Sequence, residues 1–252
     1  MRGARYVAIV ATAGVAAVLV ACNAILGINE ATTPDAGSGD AGSDVMAPSL
    51  VRIDCKTYCN EMDLSCGSPN LEYKSSTISG QFDGGSVCES ICNTRWGGAD
   101  ELNQPVDLTG PKPTDDSLGC RIWHAYAAKR TGMPAEHCPH AGPLGGGVCG
   151  MNASEACAEF CTLAMKYCGP SVYDGSYYDG SADCINACLP DAGYPGFKYI
   201  IDQAVVGSGT PPNGNTLNCR MYHLENALAL SVAEHCPHTS QSGGGVCVDQ
   251  DN

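Results

Sequence analysis

Large aromatic side chains and basic residues are both scarce in this 252-residue chain, which has three phenylalanines, two tryptophans, and 13 lysines and arginines against 27 acids. So few large rings exclude one extensive hydrophobic core, because aromatic residues dominate the burial in such cores. The formal charge of −14 at pH 7, with no cluster of Lys or Arg, excludes nucleic acid as a partner, since phosphate binding needs a basic surface. Catalytic and cofactor signatures are missing as well. There is no Cys-x-x-Cys-His for covalent haem and no Gly-x-Ser-x-Gly for a nucleophilic serine. Gly145-Gly-Gly is not followed by Gly-Lys-Ser/Thr and so makes no phosphate loop. Asp174, Asp179 and Asp183 lack the ligand order of an EF-hand and read as a solvated acidic loop. The chain is therefore not expected to be an enzyme.

What it has in abundance is cysteine, 17 residues, beside 31 glycines and 15 prolines. The odd count leaves at least one cysteine outside any internal disulfide. Arg2 and Arg5 precede a nearly unbroken run of Ala, Val, Ile, Leu and Gly over residues 7–20, too short for an ordinary transmembrane helix and suited to a secretory signal. The run ends in Leu19-Val20-Ala21-Cys22. That phrase resembles the lipobox of bacterial lipoproteins, with Leu at −3, a small residue at −1 and then Cys. The resemblance implies a signal peptide over residues 1–21, a thioether lipid on Cys22 and an acylated new amino terminus of the palmitate type. No Arg-Arg pair precedes the run, so general secretion is expected over the twin-arginine route. Asn23 stands where Asp marks inner-membrane retention in enteric lipoproteins, so the resemblance implies the periplasmic face of the outer membrane or the cell surface of a Gram-negative bacterium.

Cleavage would leave 11 basic against 27 acidic residues, a charge that keeps a tethered domain soluble and away from anionic lipid. Residues 22–50 carry the lipidated cysteine and then Ala, Gly, Ser, Thr, Pro and Asp, as in the stretch from Asp35 to Asp44. Such a composition buries too little apolar area to offset its ordering entropy and reads as a flexible acidic tether.

The other sixteen cysteines are two copies of one ruler. They fall at Cys55, Cys59, Cys66, Cys88, Cys92, Cys120, Cys138 and Cys149, then at Cys157, Cys161, Cys168, Cys184, Cys188, Cys219, Cys236 and Cys247. The steps run 4, 7, 22, 4, 28, 18, 11 and 4, 7, 16, 4, 31, 17, 11. Four of seven are identical, so residues 51–150 and 151–252 are tandem eight-cysteine repeats. In an exported chain an even count at repeated spacing predicts four disulfides per repeat rather than metal-thiolate clusters.

Cys55, Cys59, Met62 and Cys66 share one helical stripe ending at Gly67, as do Cys157, Cys161 and Cys168 before Gly169. A second short helix carries Cys88 and Cys92, or Cys184 and Cys188. Two antiparallel CxxxC helices can be stapled twice, as in plant α-hairpinin peptides, which gives Cys55–Cys92, Cys59–Cys88, Cys157–Cys188 and Cys161–Cys184. The shared step of 11 suggests Cys138–Cys149 and Cys236–Cys247, leaving Cys66–Cys120 and Cys168–Cys219. A third helix is expected from Ser117 and from Thr216. The fold class is thus mainly α: small, disulfide-rich, loop-rich modules of about three short helices each, duplicated in tandem.

All six histidines lie at matching positions: His124, His137 and His140, and His223, His235 and His238. They occupy the phrases Cys-Arg-x-aromatic-His and Glu-His-Cys-Pro-His, ahead of Gly-Gly-Gly-Val-Cys. One reading is structural, with two histidines beside a proline turn capping a helix and bonding the carbonyls of the glycine loop. The other is a histidine-only site for Zn or Cu, completed by water or Glu136, for metal capture or redox work. Arg121 and Arg220 suit either a carboxylate ligand or an ion pair within the repeat.

The mature start from Cys22 to Ala31, together with Cys-Arg-x-x-His and His-Cys-Pro-His-Ala-Gly-Pro-x-Gly-Gly-Gly-Val-Cys, resembles cysteine-rich tandem-repeat lipoproteins of myxobacteria. That resemblance implies a location and supplies no mechanism. The sequence reading is a lipid-anchored envelope protein with a non-catalytic binding or structural role toward an envelope protein or extracellular ligand, with histidine-based metal binding as the alternative.

Overall fold

Six of the eight described helices begin where a side chain accepts an amide hydrogen that a first turn leaves open. Asp54 does so for α1 (Cys55–Ser65), and Ser86, in a reciprocal box with Glu89, for α2 (Val87–Arg95). Ser117 caps α3 (Leu118–Thr131), while α4 (Pro134–Ala141) starts on a proline, whose missing N–H costs nothing there. In the second repeat Asn152 caps α5 (Ala153–Cys168), Gly180 precedes α6 (Ser181–Cys188), Thr216 caps α7 (Leu217–Ala229) and Ser231 caps α8 (Val232–Thr239). A short glycine turn follows the last helix of each repeat, Gly145–Gly147 and Gly243–Gly245. The only paired strands among the described residues are β1 (Leu50–Arg52) and β2 (Pro105–Asp107), antiparallel with Val51 opposite Val106.

This computed structural model describes residues 50–74, 85–98, 102, 104–150, 152–173, 178–190, 196–201, 203–207 and 212–249. The signal peptide, Cys22, Asp174 and all of the tether but its last residue, Leu50, lie outside them. Among the described residues no helix is long and apolar enough to cross a membrane.

The protein is mainly helical and crosslinked by eight disulfides, and all sixteen repeat cysteines are paired. So dense a framework suits an oxidising compartment outside the cytoplasm. The stapled helix pairs expected from spacing are present, Cys55–Cys92 with Cys59–Cys88 and Cys157–Cys188 with Cys161–Cys184. The remaining pairs correct the sequence reading: they are Cys66–Cys138, Cys120–Cys149, Cys168–Cys236 and Cys219–Cys247. The cause is a fourth helix in each repeat where a proline turn was expected. Helix α4 carries Cys138 to the end of α1, and the glycine turn then swings Cys149 back against Cys120 on α3. The step of 11 therefore measures a helix end plus a turn, not a local bridge. Pro139 and Pro237 sit inside helices of eight residues, where each removes one backbone bond near a crosslinked cysteine.

The core is built from thin layers: Tyr58 and Met62 of α1 against Leu118 and Ile122 of α3, and Phe160 and Leu163 of α5 against Leu217 and Met221 of α7, all buried. Disulfide sulfurs fill much of the space that larger aromatics would otherwise occupy. The two repeats pack into a single unit spanning 46–252. Tyr167 of α5 donates to the Ser90 carbonyl of α2 at 3.0 Å. The segment around Leu71 pairs with Val206 and Gly207, and two buried carboxylates fasten it: Glu72 accepts from the Val205 N–H at 3.3 Å, Glu225 from the Lys74 N–H at 2.8 Å.

Burial holds the Glu72 carboxyl well above its ordinary value of 4.5, with the Val205 N–H pulling it back and the neighbouring Glu225 adding to the rise. Glu159, also buried, is pushed up to about 7 by burial, against the pull of Arg121 and Arg95. Both groups hold a proton more tightly folded than unfolded, so the stability they contribute is full below pH 4.5 and is lost as pH rises, through about 7 for Glu159 and higher for Glu72. From pH 7 upward, where histidine is mostly neutral folded or unfolded, the melting temperature is accordingly expected to fall toward pH 9, and Glu72→Gln to flatten that fall. Thermal melts of the two proteins across this range check it, and a flat wild-type profile would refute it.

Candidate metal centre

Residue His124 projects from the middle of α3, and His137 and His140 project one turn apart from α4, which packs against it. The same arrangement recurs with His223 on α7 and His235 and His238 on α8. Separate elements thus bring all three rings of each repeat to one place. His124 Nδ1 lies 3.2 Å from His137 Nδ1, and His223 Nδ1 lies 3.3 Å from His235 Nδ1. The third ring stands edge-on to the first, with centroids 4.9 Å apart for His124 and His140 and 4.6 Å for His223 and His238.

One nitrogen from each ring lies within 4.8 Å of one from both others, in both repeats, so all three lie within about 2.8 Å of one point, close to Zn–N bonds of about 2.0–2.1 Å. Two ligands on one tetrahedral ion at that bond length stand about 3.3–3.4 Å apart. The Nδ1 pairs already hold nearly that spacing. The buried Nδ1 of His238 makes no hydrogen bond of good geometry. A buried ring nitrogen left in this state is a cost unless an ion or water takes it up.

The surroundings keep the rings neutral, which is the ligand form. Burial pushes His124 down to about 3, helped by the charges of His140, Lys112 and His137 and opposed by the Pro113 carbonyl. His223 falls to about 4 by burial and then by His238 and His235. His137 and His235 are lowered by burial too, each against the pull of the adjacent Glu136 or Glu234.

The Cys120–Cys149 and Cys219–Cys247 sulfurs also lie within 4.8 Å of a His124 or His223 nitrogen. Being oxidised, they offer no thiolate, so the donor set is imidazole alone. Nitrogen donors with no thiolate suit Zn²⁺ and Cu²⁺. Glu136 and Glu234 face solvent and take part in neither cluster.

Comparison with protein families adds one fact. Residues 150–250 match the model of the BfoA family C-terminal domain. Comparisons with curated proteins and with solved structures find no match. The BfoA-like stretch therefore contains the whole second repeat's cluster, His223, His235 and His238, together with its four disulfides.

Around these rings the sequence left several features unread. Trp123 is edge-on to His124 and His137, at centroid distances of 5.0 and 6.2 Å, and Tyr222 takes the same place beside His223 at 5.2 Å. The aromatic of Cys-Arg-x-aromatic-His is thus the wall of the site. Gly146 and Gly244 have φ of 52° and 54°, and a Cβ there would come within 2.6 Å of the Pro139 carbonyl carbon or 2.8 Å of His238 Nδ1. Only glycine lets the loop lie this close to α4 and α8.

Arg121 and Arg220, adjoining the cysteines, diverge. Arg121 pairs with Asp116 of its own repeat at 2.8 Å and with Glu159 of the other repeat at 3.0 Å. Arg220 instead donates to the carbonyls of Ser240, Thr216 and Gln241 and lies 3.7 Å from the Phe197 ring centroid. Both arginines are internal struts. Asp179 and Asp183 are exposed and join only through the Asp179 N–H and the Asp183 carboxylate, 3.3 Å apart.

Proposed function

We propose that this is an exported, lipid-anchored metal-binding protein of the cell envelope, holding one Zn²⁺ or Cu²⁺ ion on three imidazoles in each repeat, without catalysis. The observation that carries the metal assignment is the convergence of His124, His137 and His140 within 4.8 Å, repeated by His223, His235 and His238. A packing accident would have to bring three neutral rings to ligand spacing in both repeats. The lipid anchor rests on Leu19-Val20-Ala21-Cys22, and the outer-membrane location on Asn23. The acidic tether would hold both sites clear of the bilayer, and the negative charge would concentrate cations near them.

A purely structural role has one observation in its favour: 3.2 Å between Nδ1 atoms also suits a single imidazole hydrogen bond. Elemental analysis of the protein purified from the envelope, with thiols counted before and after reduction, separates the readings. Two equivalents of metal and sixteen oxidised cysteines are expected; sixteen oxidised cysteines with no metal, even after dialysis against Zn²⁺ or Cu²⁺, would leave only the structural role. Cys22→Ser is expected to move the protein from the membrane fraction to the soluble one without changing its metal content.

A further inference from the structure

The two sites share donors but not surroundings. In the first repeat His124, His137 and His140 are all buried. The segment between β2 and α3 lies over them, with the Pro113 carbonyl turned to His124 and Trp123 donating to Gly110. Arg130 closes the same side, donating to the Leu108 carbonyl and standing over the Trp123 ring at 5.3 Å.

The glycine turn that backs this site is itself covered by the second repeat. Tyr199 donates to the Leu144 carbonyl at 2.6 Å, and Ile201 sits so close to Gly147 that a Cβ there would meet it at 3.3 Å. Gly145 and Gly146 are consequently buried.

In the second repeat the equivalent turn is bare. Gly244, Gly245 and Val246 are exposed, and the turn passes directly beside His238. His235 and His238 are half-buried, and so is Tyr222, which stands where Trp123 stands in the first. The cause is the packing of the two repeats: Tyr199 and Ile201 of the second cover the first repeat's turn, and no described residue does the same for the second's.

We infer that the two centres divide the work, the first repeat retaining its ion and the second serving as the exchange site through which an ion, with its open coordination position, is taken up and passed on. This rests on the metal reading above and deepens it. An imidazole site exchanges its metal when an incoming ligand can reach the ion before the histidines leave. At the second site the part-exposed rings of His235 and His238 leave an incoming ligand a short path, whereas at His124 a whole segment must first lift away.

The full-length protein loaded with two equivalents of Zn²⁺ is mixed with an excess of a chromogenic chelator in a stopped-flow instrument. One equivalent is expected to leave at least ten times faster than the other. His235→Ala/His238→Ala should delete the fast phase and keep the slow one, and His137→Ala/His140→Ala should do the reverse. A readout in the unaltered chain guards against variants that fold poorly. In the same mixing experiment on the Cu²⁺-loaded protein, the ion held by His124 and His137 quenches the adjacent Trp123, so tryptophan fluorescence is expected to recover with the slow phase. Equal release rates, a fast phase that survives His235→Ala/His238→Ala, or fluorescence recovery in the fast phase would each overturn the division while leaving the metal reading standing. Failure to take up any ion would instead overturn the metal reading itself.

Discussion

Changing His124 to alanine is expected to lower the metal content from two equivalents to one, and changing His124 and His223 together to abolish it. Each is the only ring its cluster draws from the longer helix, and each touches both partners, at centroid distances of 5.3 and 4.9 Å for His124 and of 5.5 and 4.6 Å for His223. Without it, two histidines one turn apart on an eight-residue helix remain. Structural zinc sites gain about 10–16 kcal/mol from about four ligands, so one lost ligand weakens binding roughly 100- to 1,000-fold. Isothermal titration with Zn²⁺ reads this directly. A second signature follows from linkage, because an ion at about 100 times its dissociation constant stabilises the fold by about 2.7 kcal/mol, and Zn²⁺ should therefore raise the melting temperature of the native protein but not of the double variant. A melting temperature indifferent to Zn²⁺ and Cu²⁺ in the native chain would count against the metal centre.

Replacing Glu159 by alanine is expected to be the most destabilising single exchange of a charged residue, costing about 3–5 kcal/mol at pH 8. Glu159 is 1% exposed and sits on α5 of the second repeat, yet its partners Arg121 and Arg95 belong to the first, at 3.0 and 3.8 Å. Arg121 is fully buried, held under the Trp96 ring at 4.1 Å, and cannot turn to solvent when its carboxylate is removed. Asp116 would remain beside it at 2.8 Å, but that carboxylate is partly exposed and compensates less in the presence of water. The lost energy should appear as loosened docking of α5 on the first repeat, since the disulfides keep each helix pair intact. Arg121→Met/Glu159→Leu is expected to recover most of the loss, because a buried ion pair gains little over apolar groups of similar volume. Thermal melts of the single and double variants at pH 8 form the cycle; a Glu159→Ala protein as stable as the native one would show that the pair carries no net energy.

These two residues mark where reading the sequence succeeded and where it stopped. The histidines were legible because duplication repeats their positions while loop lengths around them change. Glu159 was not, because its counterpart in the first repeat is Thr57 and nothing in the text ties it to Arg121, 38 positions earlier. The ion pair crosses the repeats, so comparing one repeat with the other conceals it. Trp123 and Tyr222 were visible as an aromatic before each histidine, but their role as a wall depends on how α3 and α7 are rotated.

By itself the sequence determined the helical, crosslinked modules, their duplication, the stapled helix pairs and the six residues worth testing. All of these follow from local spacing: a stripe every three to four residues fixes a helix face, and two CxxxC faces can meet in only one antiparallel way. The tertiary structure alone decided that Cys66 reaches Cys138 rather than Cys120, that three imidazoles share one point, and that one cluster is buried while its copy is half open. Those outcomes depend on how α4 and α8 swing back over their neighbours and on the second repeat packing over the first repeat's turn. Packing between distant segments sets both, and spacing along the chain carries no record of it.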